Sequence, residues 1–518
     1  MPGTTATYRN PIIDADYSDP DAVRVGDDFW MVASSFTMAP GLPILHSTDL
    51  VHWKHVANAL PRLEPAGHFA LTRPGGGVWA PSIRYHDGRF VIVYPDPDHG
   101  IFVVTATDPR GPWTAPTAVL PGRGRIDPCL LWDDDGRVQL VHGWAESRAG
   151  FKNRLTVIEV SADLSGVVGP AVDIVDGGHL SEFATLEGPK LYKRDGWYWI
   201  FAPAGGVATG WQLVFRSRHL HGPYEHRTVL AQGNTEVNGP HQGAWVDTPT
   251  GQDWFLHFQD RGPIGRVVHL QPMTWDADGW PELGERGPDG VGQPVVVGAS
   301  PDVAEQDGPV RRLPYGTDDF GGPLAPQWAW YANPDTAWSA GPADGLLTLH
   351  AVADDAGDLR ELGHILGQRL PGQPASLRTT LYPDRMSVDG SRAGVVLLGS
   401  GYVWLGVIRT GGTTLLTLRR SGAPGTPEVV LAVGPPVSGA VRLCLRTDGE
   451  STAHASWALD DGGPWHELDG ELALTAGRWV GTRVGLFASS PLGSTAAGAA
   501  ATFGPLEVVV DGTEPPLI

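Results

Sequence analysis

Short runs of alternating apolar and polar residues, separated by turn signals, fill roughly the first 300 residues of the chain. The clearest run follows Glu187, where Leu191 alternates with charged neighbours and the pair Asp195-Gly196 supplies residues that tolerate positive φ. The segment from Trp197 to Phe201 is aromatic and has high β-propensity. This pattern predicts a β-hairpin with Glu187 just upstream of its first strand.

The same hairpin pattern occurs five times, and each copy opens at a proline. These prolines stand at positions 20, 81, 128, 189 and 240, so they are 61, 47, 61 and 51 residues apart. Such spacings suit a unit of four strands better than a two-helix repeat, because helical periodicity is absent. Five units of this kind predict a five-bladed β-propeller.

The chain changes character after Asp278. From there to Pro314 it is rich in Gly, Pro and acidic residues with little periodicity, which indicates a linker or a domain-crossing segment. The alternating runs that follow predict an antiparallel β-sandwich of roughly 200 residues. We therefore expect an all-β protein without strong helices. Its expected parts are a propeller over residues 8–300, a linker over 301–316 and a sandwich over 317–518.

Composition agrees with two all-β domains. A chain of 518 residues exceeds what one core ordinarily holds, and 69 Gly with 46 Pro suit a turn-rich fold. The net charge of −21 argues against a nucleic-acid partner, because phosphate binding needs clustered Lys and Arg, and it disfavours polyanionic substrates. The 20 Trp side chains could stack on sugar rings or pack between blades as structural residues.

Two further features bear on the compartment. Cys129 and Cys444 lie far apart in the sequence and do not suggest a disulfide framework. The N-terminal segment has no apolar leader and no run of about 20 apolar residues follows, so we expect a cytoplasmic protein without a membrane partner. A leader removed beforehand would leave the same pattern. The sequence leaves a homo-oligomer open.

Three carboxyl residues open repeats at corresponding places: Asp19, Asp127 and Glu187. Each precedes a proline directly or with one glycine between, so each taken alone could be a simple turn residue. Equivalent positions of a propeller lie on one ring, and three like charges converging there are costly unless a function needs them. Hydrolysis of a glycosidic bond needs two acids with separated pKa values, and a third can hold the proton donor in place.

Two more polar residues are candidates for this site. Arg266, beyond the fifth repeat, could orient an acid or a substrate hydroxyl, or it could be a surface or structural residue. His241 opens the fifth inner strand and should face the central channel, as a metal or water ligand or as a core histidine. No dinucleotide, zinc or calcium-loop motif is present, so we expect no organic cofactor.

At these residues the chain resembles glycoside hydrolase family 43, in particular its β-xylosidases and α-L-arabinofuranosidases with an added C-terminal sandwich. The matching motifs are Tyr17-Ser18-Asp19-Pro20-Asp21, Ser34-Ser35-Phe36, Gly77-Val78-Trp79-Ala80-Pro81-Ser82, Ile126-Asp127-Pro128, Glu187-Gly188-Pro189-Lys190, Gly239-Pro240-His241-Gln242-Gly243 and Gly265-Arg266. Together they cover nearly the whole chain. The resemblance implies a five-bladed propeller, a concanavalin-like sandwich that leans a loop over the propeller mouth, and hydrolysis with inversion.

The resemblance also implies roles for individual residues. Asp19 is expected to be the general base, Glu187 the general acid, and Asp127 the residue that tunes and orients that acid. The residues expected near the bound sugar or the central ion are Phe36 and Trp79 as walls, Arg266, and His241 beside a possible Ca²⁺ or its water. Two positions depart from the usual motif, since Ser18 replaces a common Pro and Asp21 a common Ser. The resemblance leads us to expect the Asp21 carboxylate to point away from the site.

We therefore expect an exo-acting, inverting glycosidase that removes terminal β-D-xylose, α-L-arabinofuranose or both from xylo- or arabino-oligosaccharides, as in xylan degradation. The sequence does not rank the two sugars. One alternative is an endo-acting arabinanase, which a sandwich blocking a through-groove disfavours. The other is a catalytically silent propeller that binds glycans on its Trp side chains, which the complete set of three acids disfavours.

Overall fold

Five sheets of four consecutive antiparallel strands form a ring in the first part of the chain. This is a computed structural model, and it describes residues 6–178, 180–303, 314–354, 357–459, 462–492 and 499–511. The inner strand of blade I contacts the inner strands of blades II and V, and that of blade III contacts those of II and IV. The prediction of a five-bladed propeller is confirmed.

The blades follow the order of the chain. The strands of blades I and II are Asp21–Val25, Asp28–Val32, Gly41–Ser47 and Lys54–Leu60, then Ser82–His86, Arg89–Asp96, Gly100–Ala106 and Thr117–Pro121. Those of blade III are Arg125–Trp132, Val138–Trp144, Arg154–Val160 and Val172–Asp176. Those of blades IV and V are Lys190–Arg194, Trp197–Ala204, Trp211–Ser217 and Glu225–Leu230, then His241–Asp247, Asp253–Asp260, Arg266–Trp275 and Pro281–Leu283.

The hairpin after Glu187 shows why the repeat folds as it does. Asp195 and Gly196 adopt φ values of 53° and 72°, and Arg194 pairs with Trp197 across them. Two successive residues with positive φ match the twist of the flanking strands in a two-residue hairpin. The predicted turn and both predicted strands are therefore present.

Many of the tryptophans pack between blades IV and V. The Arg216 guanidinium lies over three indole rings, at 4.7 Å from Trp197, 5.6 Å from Trp199 and 4.2 Å from Trp280. Trp199 also meets Trp275 edge to face, with ring centroids 5.1 Å apart. Of the two roles that the sequence left open for tryptophan, packing between blades is the one that these residues have.

The segment after Asp278 is more regular than its composition indicates. Short strands at Glu285–Arg286 and Gly292–Gln293 extend the sheet of blade IV, and Val297–Ala299 pairs with Thr7–Arg9. These strands are too short to show a period in the sequence. Residues 304–313 of the predicted 301–316 linker lie outside the described residues, and the predicted limits of the domains stay predictions.

The second domain consists of two facing sheets, as predicted, and their strands pair antiparallel except that Val352–Asp354 runs parallel to Arg483–Pro491. In spatial order the first sheet holds Ala329–Trp330, Leu366–Arg369, Arg483–Pro491, Arg392–Leu398, Tyr402–Thr410, Thr413–Ser421 and Val429–Pro436, with Val352–Asp354 also paired to Arg483–Pro491. The second holds Ser339–Ala343, Leu346–His350, Ala500–Phe503, Ala375–Tyr382, Val441–Thr447, Thr452–Ala458 and His466–Glu467, with Glu507–Val510 and Leu472–Ala473 on its side branches.

Helices are few and short in the described part of the chain. They are one α-helical turn at Glu146–Ala149 and 3₁₀ turns at His68–Ala70, Ser181–Phe183, Gly262–Ile264 and Leu359–Glu361. Within the same residues, no helix has the length and apolarity that crossing a bilayer would require. Cys129 and Cys444 are separate, buried thiols.

The two domains share one apolar core. Tyr17 and Trp53 of the propeller belong to the same buried cluster as Trp328 and Trp330 of the sandwich. Polar contacts fix the arrangement, since Asn333 accepts from the Leu63 amide at 2.7 Å and donates back to its carbonyl at 2.9 Å. The sandwich is thus held firmly against blade I.

Candidate active site

Three carboxyl groups lie where the inner strands of blades I, III and IV begin: Asp19 and Glu187 just before their strands, and Asp127 near the start of its strand, where the pairing is irregular between Ile126 and Cys129. Asp19 and Asp127 directly precede their prolines and adopt φ values of 55° and 57°. Aspartate tolerates this left-handed conformation better than most residues, but it is still a strained one. In blade IV, Gly188 adopts it instead, with φ 62°, and the acid Glu187 stands one residue earlier.

Asp19 is held by two donors in a buried position. Ser34 Oγ donates to Asp19 Oδ2 at 2.5 Å, and Arg266 Nη1 lies 3.3 Å from Oδ1. Arg266 is itself buried and stacks over the Phe258 ring at 4.9 Å. Each oxygen of the Asp19 carboxyl group therefore faces a donor from another part of the propeller.

Asp127 is joined directly to the backbone beside Glu187. The Gly188 amide donates to Asp127 Oδ2 at 2.7 Å, so the carboxylate of one blade fixes the turn of the next. Burial, with the charge of Asp19, raises the pKa of Asp127 above its ordinary value. The hydrogen bond from Gly188 opposes that rise because it stabilises the charged form.

Glu187 is the acid that lies beside His241, and the charges of Asp127 and Arg266 also act on it. Its side chain is 26% exposed, and its Oε1 lies 3.4 Å from His241 Nε2. Burial, together with the charge of Arg266, lowers the pKa of His241 to about 3, so the imidazole is neutral at neutral pH. Burial, and then the charge of Asp127, raises the pKa of Glu187 above its ordinary value. Burial thus favours the protonated form of Glu187, as it also does for Asp127.

Aromatic rings from both domains form a row of contacts that ends at Arg266. Phe36 and Trp79 have ring centroids 6.5 Å apart, and the Trp79 indole donates to the Gly75 carbonyl at 3.0 Å. Trp479 of the sandwich lies 6.3 Å from Trp79 and 5.8 Å from the Arg266 guanidinium. It is 43% exposed and its φ is 67°. The sandwich therefore adds a third aromatic wall to the two that the sequence predicts.

Residues 476–480 and the loop before Arg266 enclose a pocket of about 430 Å³ between the domains. Arg266 and Trp479 line this pocket, whereas the three acids are not among its lining residues. Hydrolysis of a sugar acetal requires a base and a proton donor beside the bound sugar. Comparison with known proteins agrees with this chemistry. The family model described as glycosyl hydrolases family 43 matches residues 8–281, more than half of the chain.

The chain belongs to glycosyl hydrolases family 43. A second family model, described as the β-xylosidase C-terminal concanavalin A-like domain, matches residues 317–508 of this family 43 protein. The protein is therefore a glycosidase, and its second domain is a concanavalin-like sandwich.

Several relatives span most of both chains. A candidate β-xylosidase of Xylanibacter ruminicola is 36% identical over 92% of this chain and 86% of its own length. A β-xylosidase of Formosa agariphila is 31% identical over 93% of this chain and 87% of its own. The crystal structure of a xylan β-1,4-xylosidase from Bacillus halodurans C-125 superimposes with a TM-score of 0.84 at 26% identity, and covers 97% of this chain and 100% of its own.

Two residues of this family 43 protein that depart from the usual motif have clear contacts. Asp21 is fully buried, where it accepts from Arg84 Nη1 and from the Ile83 amide of blade II, each at 2.8 Å. Ser18 Oγ donates to Asp16 Oδ1 at 3.2 Å. Neither side chain makes a described contact with Asp19 or Glu187.

The sequence did not predict Asp16 and Trp479 as parts of this site. Asp16 is buried and accepts from the Arg266 amide at 3.0 Å and from the Gly481 amide at 3.1 Å. It thereby ties the strand that carries Arg266 to the loop that carries Trp479. The sequence contains one usable signal, because Trp479 stands between Gly477 and Gly481 in a turn-rich segment.

The predicted calcium site gains little support from the described side chains. No group of three or more His, Cys, Asp or Glu residues in the described ranges could hold a metal ion. Calcium takes six to eight oxygen ligands, whereas His241 offers only ring nitrogens. The side chains present do not form a calcium cage by themselves. A hydrated calcium ion beside His241 stays a prediction, which loss of thermal stability on chelation would support.

Proposed function

We propose that this glycosidase removes terminal β-D-xylose, terminal α-L-arabinofuranose or both from oligosaccharides, with inversion at the anomeric carbon. One observation carries the proposal: equivalent turns of the propeller hold Asp19 among donors and Glu187 beside a neutral histidine. The two acids thus have different surroundings: Asp19 accepts from Ser34 and lies beside Arg266, whereas burial raises the pKa of Glu187. The names of the relatives support the substrate class, since a β-xylosidase and a Bacteroides ovatus α-L-arabinofuranosidase are among them.

In this mechanism Glu187 donates its proton to the glycosidic oxygen as the bond to the anomeric carbon breaks. Asp19 removes a proton from a water molecule that attacks the same carbon from the opposite face. The sugar leaves with its anomeric configuration inverted, Glu187 ends as a carboxylate, and Asp19 ends protonated. Asp19 then releases its proton to solvent and Glu187 takes one up from solvent, which restores both groups for the next turnover.

Asp127 supports the acid in two ways. Its hydrogen bond to the Gly188 amide fixes the turn from which Glu187 projects, and its negative charge disfavours ionisation of Glu187. Arg266 bridges the two halves of the reaction, because it contacts the Asp19 carboxylate and its charge reaches Glu187. Its positive charge stabilises the Glu187 carboxylate that forms once the glycosidic oxygen has taken the proton.

Exo action rests on the walls of the opening. Phe36 and Trp79 offer apolar faces to a sugar ring, and Trp479 adds a further wall from the sandwich. A long polysaccharide would have to pass through this third wall to be cleaved internally. We therefore favour cleavage at a chain end over the endo-acting alternative.

The decisive experiment follows early products by proton NMR with aryl β-D-xyloside and aryl α-L-arabinofuranoside as substrates. Inverted configuration of the first sugar released from either substrate is the expected result. Retained configuration would contradict the mechanism, and no turnover of either substrate would favour the glycan-binding alternative. Internal cleavage products from linear arabinan would assign an endo-acting enzyme.

A further inference from the structure

A second, larger cavity lies between the domains, and Phe36 is part of its wall. It has a volume of about 900 Å³, and both domains line it, from residues 36–38 and 70–75 of the propeller to residues within 358–364 and 477–483 of the sandwich. Its lining includes Leu71 and Leu492, which are 61% and 66% exposed. This volume falls within the range of about 300–1,000 Å³ that is usual for small-molecule sites.

A buried arginine without a full partner lines this cavity. Arg483 is only 3% exposed, yet no hydrogen bond joins its side chain to any described residue, and its Nε has no partner there. Its closest acid is Asp16, whose Oδ2 lies 3.7 Å from Arg483 Nη2 and also accepts from the Gly481 amide. A buried guanidinium with one distant, shared carboxylate is incompletely neutralised.

Tyr331 adds a second unsatisfied polar group to the same lining. Its hydroxyl is buried and has no hydrogen-bond partner among the described residues. Tyr331 lies against the strand of Arg483, since a Cβ added at Gly367 would be 3.1 Å from the Tyr331 ring and 3.3 Å from the Val484 carbonyl. Burial raises the pKa of Tyr331, and the charge of Arg483 opposes that rise. A phenol hydroxyl and a guanidinium both donate hydrogen bonds, so together they suit an acceptor that carries negative charge.

The charged residues around the cavity also favour a negatively charged ligand, although the whole chain is strongly acidic. Four arginines line it against two carboxylates, Asp358 and Glu361. One arginine, Arg360, is already paired with Asp358 at 2.7 Å. Arg369 pairs with Arg483 across the sheet and adds a further buried positive charge. The local excess of positive charge runs against the net charge of −21.

We propose that this interdomain cavity binds a ligand through its carboxylate, which Arg483 and Tyr331 would hold. A carboxylate matches the forked donors of a guanidinium better than a neutral hydroxyl does. The half-buried Trp338 and the apolar rim could cover the face of a sugar ring, so a saccharide that bears a uronic acid fits the whole lining. A simple organic acid shares the same anchoring chemistry.

Isothermal titration of the full chain with D-glucuronate tests this site, with D-glucose as the neutral partner and acetate as the simple acid. We expect saturable binding of one glucuronate per chain, at least about 10-fold tighter than glucose, and weaker at high ionic strength. Equal affinity for acetate would assign the site to simple acids, whereas much weaker acetate binding would assign it to acidic saccharides. D-xylose in excess should occupy the catalytic pocket and displace any ligand bound there. It should not displace glucuronate that is bound in the interdomain cavity.

Variants locate the binding. Tyr331→Phe removes one oxygen that has no described partner, so it should fold normally and weaken glucuronate binding about 10-fold. Arg483→Gln should weaken it further. The matched control is Tyr224→Phe in blade IV, whose hydroxyl donates to the Leu220 carbonyl outside the cavity lining, and it should leave binding unchanged. Absence of saturable binding, displacement by xylose, or unchanged affinity in Tyr331→Phe would each overturn the proposal.

Discussion

The turns at Asp19 and Glu187 are copies of one repeat element, yet they place two carboxyl groups in opposite chemical surroundings. At Asp19 the acidic residue itself adopts the left-handed conformation, and its side chain meets Ser34 and Arg266. At Glu187 the following glycine adopts that conformation, and the longer side chain reaches a neutral His241. A shift of one residue within a repeat thus accompanies the difference in surroundings on which the proposed roles of base and acid rest.

The largest expected effect comes from removing the base. Asp19→Asn keeps the size of the side chain but has one acceptor oxygen instead of two and cannot accept a proton from water, so kcat should fall by about 100- to 10,000-fold for every substrate. Steady-state kinetics with aryl and natural oligosaccharide substrates would measure this loss. Turnover within about 10-fold of the parent would remove Asp19 from the mechanism.

Asp21→Asn is the matched control, two residues away in the same motif. Asp21 is fully buried against Arg84, so its loss leaves an unpaired buried charge and should lower the free energy of unfolding by about 3–5 kcal/mol. Chemical denaturation would measure that change. A drop in kcat without a loss of stability would place Asp21 in the reaction instead.

The next largest loss of kcat is expected from replacing Gly188, the glycine that directly follows Glu187 and adopts the left-handed conformation. A Cβ at Gly188 would lie 2.9 Å from the Gln242 side chain, and its φ is 62°. Gly188→Ala should therefore displace Glu187 and weaken the bond from the Gly188 amide to Asp127. We expect about a 100-fold loss of kcat, since small displacements of a positioned group have effects of this size.

Gly26→Ala controls for the backbone strain alone. Gly26 has φ 64° in a blade I hairpin, and no heavy atom lies within 4 Å of the position that a Cβ would take. Its substitution should therefore cost about 1 kcal/mol of stability and no activity. Comparable kinetic losses in the two variants would mean that strain, and not the position of Glu187, explains the effect of Gly188→Ala.

A smaller effect is expected from the wall that the sandwich adds. Trp479→Ala removes an aromatic ring beside Trp79 but no acid or base, so KM should rise about 3- to 10-fold with kcat nearly unchanged. Trp465→Ala, which removes a partly exposed sandwich Trp outside this site, should change neither constant. A fall in kcat alone would show that Trp479 acts on the reaction and not on sugar binding.

The smallest effect concerns stability against pH. Because the folded pKa of Glu187 is raised above its ordinary value of 4.5, the folded protein holds a proton that the unfolded chain releases. Folding stability attributable to this group therefore falls as pH rises above 4.5. Glu187→Gln removes that penalty, so its melting temperature relative to the parent should increase from about pH 5 to about pH 8. A difference that does not change with pH would contradict the raised pKa.

Local sequence signals predicted the propeller well. The pair Asp195-Gly196 and the prolines that open each repeat act through short-range backbone geometry, so they were sufficient for the hairpins and the number of blades. The same repeats brought Asp19, Asp127 and Glu187 into correspondence. Short strands such as Val297–Ala299 escaped prediction, because they form by pairing with distant residues and not from their own periodicity.

Contacts between distant segments could not be predicted in this way. The loop that carries Trp479 packs on the propeller loop before Arg266, where the Thr482 amide donates to the Pro263 carbonyl at 2.7 Å. Asp16 accepts from the amides of Arg266 and Gly481, which are distant in the sequence. The contact between His241 and Glu187 also depends on which way each side chain leaves its turn. The pattern of apolar and polar residues along the chain carries little information about contacts between residues that are distant in the sequence.

The leaving-group dependence of two variants tests the division of roles most directly. Glu187→Ala should lose most activity on xylobiose but little on a dinitrophenyl β-D-xyloside, whose phenolate departs without a proton. Asp19→Ala should lose activity on both substrates alike, since each still needs an activated water. Equal sensitivity of the two variants to the leaving group would contradict the assignment of Glu187 as the acid and Asp19 as the base.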